Sequence, residues 1–202
     1  MRIFVSGASG FVAGSILAQV PREIETFAIS RQEEFESLPE HVRWITISSG
    51  NNKEMANAVV DLKPNAIIHT SAMADIDECE KNHNLAYEVN VNLTRVLVEA
   101  CEKVSSRFVF CSTDTVFDGK KGMYSEIDIP IPVNYYAKTK LEAEGCVLQS
   151  DISRVVSRLS LVMGFPVLGV GNSFLSRMQK KIEEGKPVPM PKDEYRTPID
   201  VI

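Results

Sequence analysis

The chain has 202 residues, 44% of them hydrophobic and 24% charged, proportions that fit a folded globular protein and exclude intrinsic disorder. With 22 Lys and Arg against 27 Asp and Glu, its formal charge of −5 leaves no basic footprint for nucleic acid or for an anionic membrane. It lacks any run of about 18 apolar residues, and its first residues, MRIFVSGASG, show no signal-peptide pattern, so no membrane partner is expected and the cytoplasm is the expected location. Cysteines at 79, 101, 111 and 146 have no paired spacing and read as buried small hydrophobes, not as disulfides or a zinc knuckle.

In chain order, the β-branched run 2–6 (RIFVS) predicts a buried strand, and 11–20 a helix stopped by Pro21. Strands follow at 26–30 and 42–47, a helix at 52–62 closed by Pro64, and a fourth strand at 66–70. Apolar residues at 85, 89, 93, 96, 97 and 100 have helical spacing and predict a helix over 85–102. A fifth strand at 108–111, a helix at 134–148, a sixth strand at 155–161 and a helix at 174–184 complete the series. Strands alternating with helices at this spacing imply a Rossmann-type, doubly wound parallel sheet with helices on both faces. Two stretches break the rhythm. Residues 114–133 are loop-rich, and 185–198 hold prolines at 187, 189, 191 and 198. In open parallel sheets such loops, at the carboxyl ends of strands, are where ligands bind.

The first predicted strand runs into Ser6-Gly7-Ala8-Ser9-Gly10-Phe11-Val12-Ala13-Gly14. Gly7, Gly10 and Ala13 fit G-x-x-G-x-x-[G/A] between a strand and a helix, the context in which backbone N–H groups at a helix N-terminus receive a pyrophosphate. The second strand ends Ser30-Arg31 with no carboxylate for a ribose 2′-hydroxyl. Arg31, with the Ser30 hydroxyl, suits a 2′-phosphate and favours NADP(H) over NAD(H), although a solvated surface arginine is the alternative reading.

Tyr136 and Lys140 are four residues apart and share a helix face. A free phenol has a pKa of about 10, and a neighbouring ammonium together with a positively charged nicotinamide is expected to draw it toward neutrality for proton transfer. The fifth strand leads into Ser112-Thr113-Asp114-Thr115-Val116-Phe117-Asp118-Gly119. Thr113 is the candidate hydroxyl for a substrate carbonyl, and Asp114 is suited to a sugar hydroxyl or to capping the turn. Asp118-Gly119 reads as turn chemistry. His69 reads as a satisfied core residue, and the carboxylates Asp75, Asp77, Glu78 and Glu80 as helix N-terminal charge, so no metal site is expected.

These residues resemble the extended short-chain dehydrogenases/reductases, and within them the dTDP-4-dehydrorhamnose reductase family, whose relatives include the regulatory β subunit of methionine adenosyltransferase. The resemblance runs through SGASGFVA, HTSAMADIDECE, YEVNVN, CSTDTVFDG, YSEIDIPIPVNYYAKTK and SRLSLVMG followed by Asn172-Ser173-Phe174. It implies a catalytic trio of Thr113, Tyr136 and Lys140. It also implies a coenzyme site bounded by Gly7, Gly10, Phe11, Val12 and Ala13, with Ser71, Ala72 and Met73 lining it, Asn90 behind it and Ser160 facing the nicotinamide. Asp114 and Arg196 fall to the substrate. Residues 1–165 are then the NAD(P)-binding domain, and 166–202 the start of a smaller substrate-binding part.

The chain departs from the family pattern in four places. Thr115 replaces a tyrosine, Ala137 a glycine, and Ile47-Ser48-Ser49 offers no aspartate to the adenine. Leu161-Val162-Met163-Gly164 stands for W-V-Y-G. Relatives run on past the Asp200-Val201-Ile202 motif, so the sugar-nucleotide pocket is expected to be incomplete. Three functions remain open: a reductase of a 4-keto-6-deoxy sugar nucleotide, a sugar-nucleotide epimerase or dehydratase, and a non-catalytic NADP-binding subunit. Thr115, where dehydratases place a glutamate, counts against the second. A second copy of the chain is the one macromolecular partner left open.

Overall fold

The computed structural model describes residues 1–35, 37–48, 51–168, 173–189, 192–193 and 195–201. Ser49, Asn172, Pro191 and Ile202, named above, lie outside the described residues. Strands β1 (Arg2–Ser6), β2 (Glu25–Ser30), β3 (Val42–Thr46), β4 (Ala66–His69), β5 (Arg107–Thr113) and β6 (Arg154–Leu159) form one parallel sheet of order β3-β2-β1-β4-β5-β6. The order reverses between β1 and β4, and the carboxyl ends flanking that switch point form the crevice in which doubly wound sheets bind ligands.

Side-chain alternation along β1 explains why the sheet is covered on both sides. Ile3 and Val5 pack with Ala13 and Leu17 of helix α1 (Phe11–Gln19). Phe4, between them, points to the other face, into a core with Met55 and Val59 of α2 (Asn52–Leu62) and Leu97 of α5 (Leu93–Val104). Helix α6 (Tyr135–Leu148) adds Ala143 and Val147 to that core. The Asn134 side chain caps α6, accepting from the Ala137 N–H at 2.8 Å, so the tyrosine–lysine pair starts at a fixed helical phase.

Several details differ from expectation. The acidic segment folds as α3 (Ile76–Lys81), with Asp75 accepting from Glu78 N at 3.0 Å as its cap. The predicted helix over 85–102 consists of α4 (His83–Tyr87), a π-helical turn (Glu88–Asn92) and α5. A 3₁₀ turn (Asp114–Val116) follows β5. Short strands β7 (Val162–Met163) and β8 (Ile199–Asp200) pair in parallel, and α7 (Phe174–Glu183) lies between them in sequence. Beyond β8, the Val201 carbonyl accepts from the Ser15 hydroxyl of α1 at 2.6 Å. Among the described residues, no helix is long and apolar enough to cross a membrane.

Candidate active site

Two cavities flank the ends of the central strands. The smaller, about 230 Å³, is lined by Gly7, Ser9 and Gly10 of the glycine turn, Ser30 and Arg31 after β2, and Ser71 and Ala72 after β4. Gly7 has φ +72°, and a Cβ there would stand 2.7 Å from the Ser71 amide nitrogen. The first glycine is therefore required by a chain-to-chain approach inside the protein as well as by the turn. Gly10 N bonds Gly7 O at 2.8 Å and opens α1. No side chain caps α1 and no acid occupies its first turn, whereas α2, α3, α6 and α7 all carry side-chain caps. The N–H groups of Phe11, Val12 and Ala13 thus start a helix whose positive end is left for an outside anion. The Phe11 side chain itself points elsewhere, toward Gly164 and Val201, and Ala13 is buried against the sheet.

Ser30 is corrected in part. Its hydroxyl donates to Ser9 Oγ at 3.0 Å and accepts from Gln32 N at 3.0 Å, so it braces the glycine turn against the end of β2. Arg31 is exposed beside it and lines the cavity. The remaining wall was missed from sequence. Ile47, Ser48, Asn51, Met55, Leu85 and Val89 line it too. Leu85 and Val89, whose spacing suggested core, face this cavity, and Leu85 is 53% exposed.

Asn90, in the π-helical turn, is buried and fully engaged. Its Oδ1 accepts from Met73 N at 2.8 Å, while its Nδ2 donates to Met73 O at 3.1 Å and to Thr139 Oγ1 at 2.9 Å. Asn90 and Met73 therefore hold the loop after β4 against α6: Asn90 stands behind the cavity, and Met73 is not among the residues that line it. Thr94 Oγ1 in turn donates to Asn90 O at 2.8 Å and meets His69 Nε2 at 3.0 Å, and His69 Nδ1 meets Ser6 Oγ at 2.6 Å. His69 is a satisfied core residue, as expected. Burial, aided by the charge of Lys140, drives its pKa down to about 3, so the ring is neutral.

The catalytic candidates converge at the end of β5. Thr113 closes the strand, and its hydroxyl lies near the Tyr136 phenol. Burial pushes Tyr136 up to about 12, with Cys79, Asp114 and Cys111 adding to the rise and Thr113 opposing it. Lys140 lies on the same helix face, with its ammonium turned to the strand. Its Nζ donates to Cys111 O at 2.7 Å and sits 4.0 Å from the Phe110 ring centroid. Burial brings Lys140 down to about 8, against the opposing pull of Cys111 and Glu144.

The larger cavity, about 880 Å³, is lined by Asp114, Thr115, Arg158, Ser160, Tyr195 and Arg196 among others. Asp114 and Arg196 both line this cavity. Burial raises the Asp114 carboxyl, and Arg196 and a hydrogen bond from Thr113 pull it back. Ser160 opens on this cavity and not on the smaller one. Arg158 was missed. Its guanidinium grips buried Glu144, with Nη2 to Oε2 at 2.8 Å and Nε to Oε1 at 3.1 Å, and the Ser112 hydroxyl also donates to Glu144. Glu144 stands four residues after Lys140 on α6, so this buried pair locks the catalytic helix to β5 and β6. Among the described residues, no cluster of three or more His, Cys, Asp or Glu side chains could hold a metal ion.

A 3-2-1-4-5-6 parallel sheet, an uncapped glycine-turn helix and a Tyr-x-x-x-Lys helix beside a strand-end threonine make up the framework of the extended short-chain dehydrogenases/reductases. The chain belongs to the family described as "RmlD substrate binding domain", which it matches over residues 1–201. It is 37% identical to a dTDP-4-dehydrorhamnose reductase of Aggregatibacter actinomycetemcomitans over 63% of this chain and 42% of that protein. It is 34% identical to bovine methionine adenosyltransferase 2 subunit beta over 52% of this chain and 32% of that protein. A hypothetical dTDP-4-dehydrorhamnose reductase from Sulfolobus tokodaii superposes with a TM-score of 0.75 at 30% identity, covering 93% of this chain and 64% of that one. The dTDP-4-dehydrorhamnose reductase of Bacillus anthracis, solved in complex with NADP, gives 0.73 at 25% identity, covering 91% and 60%. The chain thus spans less than two thirds of these relatives' own lengths.

Proposed function

We propose that the chain forms the coenzyme-binding and catalytic part of an NADPH-dependent reductase acting on a 4-keto-6-deoxy sugar nucleotide. The observation that carries this reading is the docking of α6, with Tyr136 and Lys140 on one face, onto the end of β5 through the bond from Lys140 Nζ to Cys111 O, next to Asp114 and Arg196, which line the larger cavity. The smaller cavity fits NADP(H). The uncapped α1 N-terminus suits the diphosphate and exposed Arg31 the 2′-phosphate, while Ser71 and Ala72 wall the coenzyme in. When bound, the coenzyme supplies a hydride to the keto carbon. Tyr136 holds its proton until the substrate oxygen takes it, and burial keeps that phenol protonated at neutral pH. Lys140, anchored at Cys111, is placed to hold the nicotinamide ribose. Residues 166–202 begin the substrate-binding part, a cytoplasmic location follows from the sequence reading, and a homodimer is open to test by light scattering.

Tyr136→Phe tests the assignment. With NADPH and dTDP-4-keto-6-deoxyglucose, turnover is expected to fall by about 100-fold or more, while NADPH affinity measured by calorimetry stays within about twofold. Retained turnover removes Tyr136 as the proton donor. A second reading, a non-catalytic NADP-binding subunit, is favoured by the likeness to methionine adenosyltransferase 2 subunit beta. Coenzyme binding by the wild type without turnover selects it.

A further inference from the structure

Arg158 on β6 and Ser112 on β5 are register partners, so their side chains leave the same face of the sheet, and both reach Glu144 of α6. Glu144 is 1% exposed and receives Arg158 through Nε at 3.1 Å and Nη2 at 2.8 Å. An arginine gripped by two of its nitrogens on a buried carboxylate is a plane of fixed orientation. Its Cζ stands 5.0 Å from the centroid of the Phe117 ring. Phe117 in turn stacks on Tyr124, with centroids 4.4 Å apart and planes 11° from parallel, and the Tyr124 hydroxyl donates to Asp118. Arg158, Phe117, Asp118 and Tyr124 all line the larger cavity. Residues 119–123, which join the two rings, are exposed and turn through left-handed Gly119 and Gly122. Such a loop takes its position from what its side chains hold.

We propose that Arg158 is a positioning residue for the substrate: oriented by buried Glu144, it carries the Phe117–Tyr124 stack and so fixes this wall of the larger cavity relative to the helix that bears Tyr136 and Lys140. This rests on the reductase reading, in which the keto sugar nucleotide lies in that cavity. Glu144 matches the charge of Arg158, so what the guanidinium gives the cavity is a seat for the stack and not attraction for an anion. Its influence falls on substrate binding, and the hydride and proton steps are left to the coenzyme and Tyr136.

Arg158→Leu/Glu144→Leu removes both charges together and is expected to fold, because apolar residues can stand in for a buried ion pair, but it leaves Phe117 without its cation. Phe117→Leu keeps the pair and removes the ring. With NADPH and dTDP-4-keto-6-deoxyglucose, each variant is expected to raise KM by about fivefold or more. In both, kcat should stay within about threefold and NADPH affinity, by calorimetry, within about twofold. Combining the three substitutions should cost little more than either variant alone, since they break one chain of contacts. Limited trypsin digestion, with the cuts located by mass spectrometry, gives a readout without substrate. Cleavage after Lys120 and Lys121 should be faster than in wild type in both variants, while cuts elsewhere keep their wild-type rates. Wild-type KM and wild-type cleavage in both variants overturn the role of Arg158 and leave the reductase reading intact. A loss confined to kcat overturns it too, by placing Arg158 with the chemistry. A wild type that neither turns over nor binds the keto sugar nucleotide overturns the reductase reading, and this inference with it.

Discussion

The smaller cavity is walled by strand ends and helix starts, and its shape follows from backbone: a left-handed glycine, an uncapped helix, a hydroxyl brace from Ser30 to Ser9. The larger cavity is walled by the loop after β5 and by Asp193, Tyr195, Arg196 and Thr197, brought in from far along the chain. The segment between β5 and α6 also leaves apolar side chains in the open, with Met123 98%, Ile127 92% and Ile129 81% exposed. One region is closely determined and intolerant of change. The other is adaptable, as expected where relatives share a coenzyme and vary in what they act on.

That contrast can be broken or sharpened by mutation. The largest effect is expected at Gly7→Ala, which combines a strained left-handed residue, costing about 1–3 kcal/mol, with a Cβ 2.7 Å from the Ser71 backbone. Loss of cooperative urea unfolding is the expected result, and a midpoint near wild type would show the turn to be pliable. Next is Arg158→Met, which strands buried Glu144 and should cost about 3–5 kcal/mol by urea denaturation. The double variant Arg158→Met/Glu144→Leu should recover most of it. If it does not, the pair is not what fixes α6.

His69 gives a pH signature. Its folded pKa of about 3 lies below the ordinary 6.5, so the unfolded chain binds a proton that the folded chain refuses. Stability therefore rises with pH across that window and is lost as pH falls from 6.5 toward 3, by up to roughly 1.4 kcal/mol per unit. His69→Leu should flatten this slope, whatever its effect on absolute stability. Arg31→Ala should weaken NADPH by about tenfold and NADH hardly at all in calorimetric titrations. Equal losses would return Arg31 to the solvated surface. The smallest effect belongs to the exposed segment between β5 and α6, where Ile129→Ser should change stability by less than about 0.5 kcal/mol.

Much of the first region was legible because local pattern and backbone need coincide there. The run RIFVS, the glycines at 7 and 10, and Pro64 after α2 each carry a local physical reason. Tyr136 and Lys140 were readable from spacing, but where the Lys140 ammonium goes was not. A four-residue separation puts Lys140 on the face of Tyr136 without saying that its ammonium prefers the Cys111 carbonyl. Ser160, Met73 and Asn90 were placed by likeness to a family, and the hydrogen bonds of the latter two are spent on internal fastening. Arg158 was invisible because its partner Glu144 lies on a different element, and no local signal announces a long-range ion pair. Strands β7 and β8 are two residues each, too short to have a period.

The wider turn at Glu88–Asn92 has a consequence for how this chain tolerates insertion and deletion. Between two ordinary helical segments it acts as a phase slip, so that Asn90 can look inward at Met73 while Leu85 and Val89 look out at the coenzyme side. Removing one residue there would restore an unbroken α-helix and, with about 100° per residue, swing everything before the cut away from the partners it now faces. The irregular stretch is thus the gearing that lets one rod serve a core on one side and a binding cleft on the other.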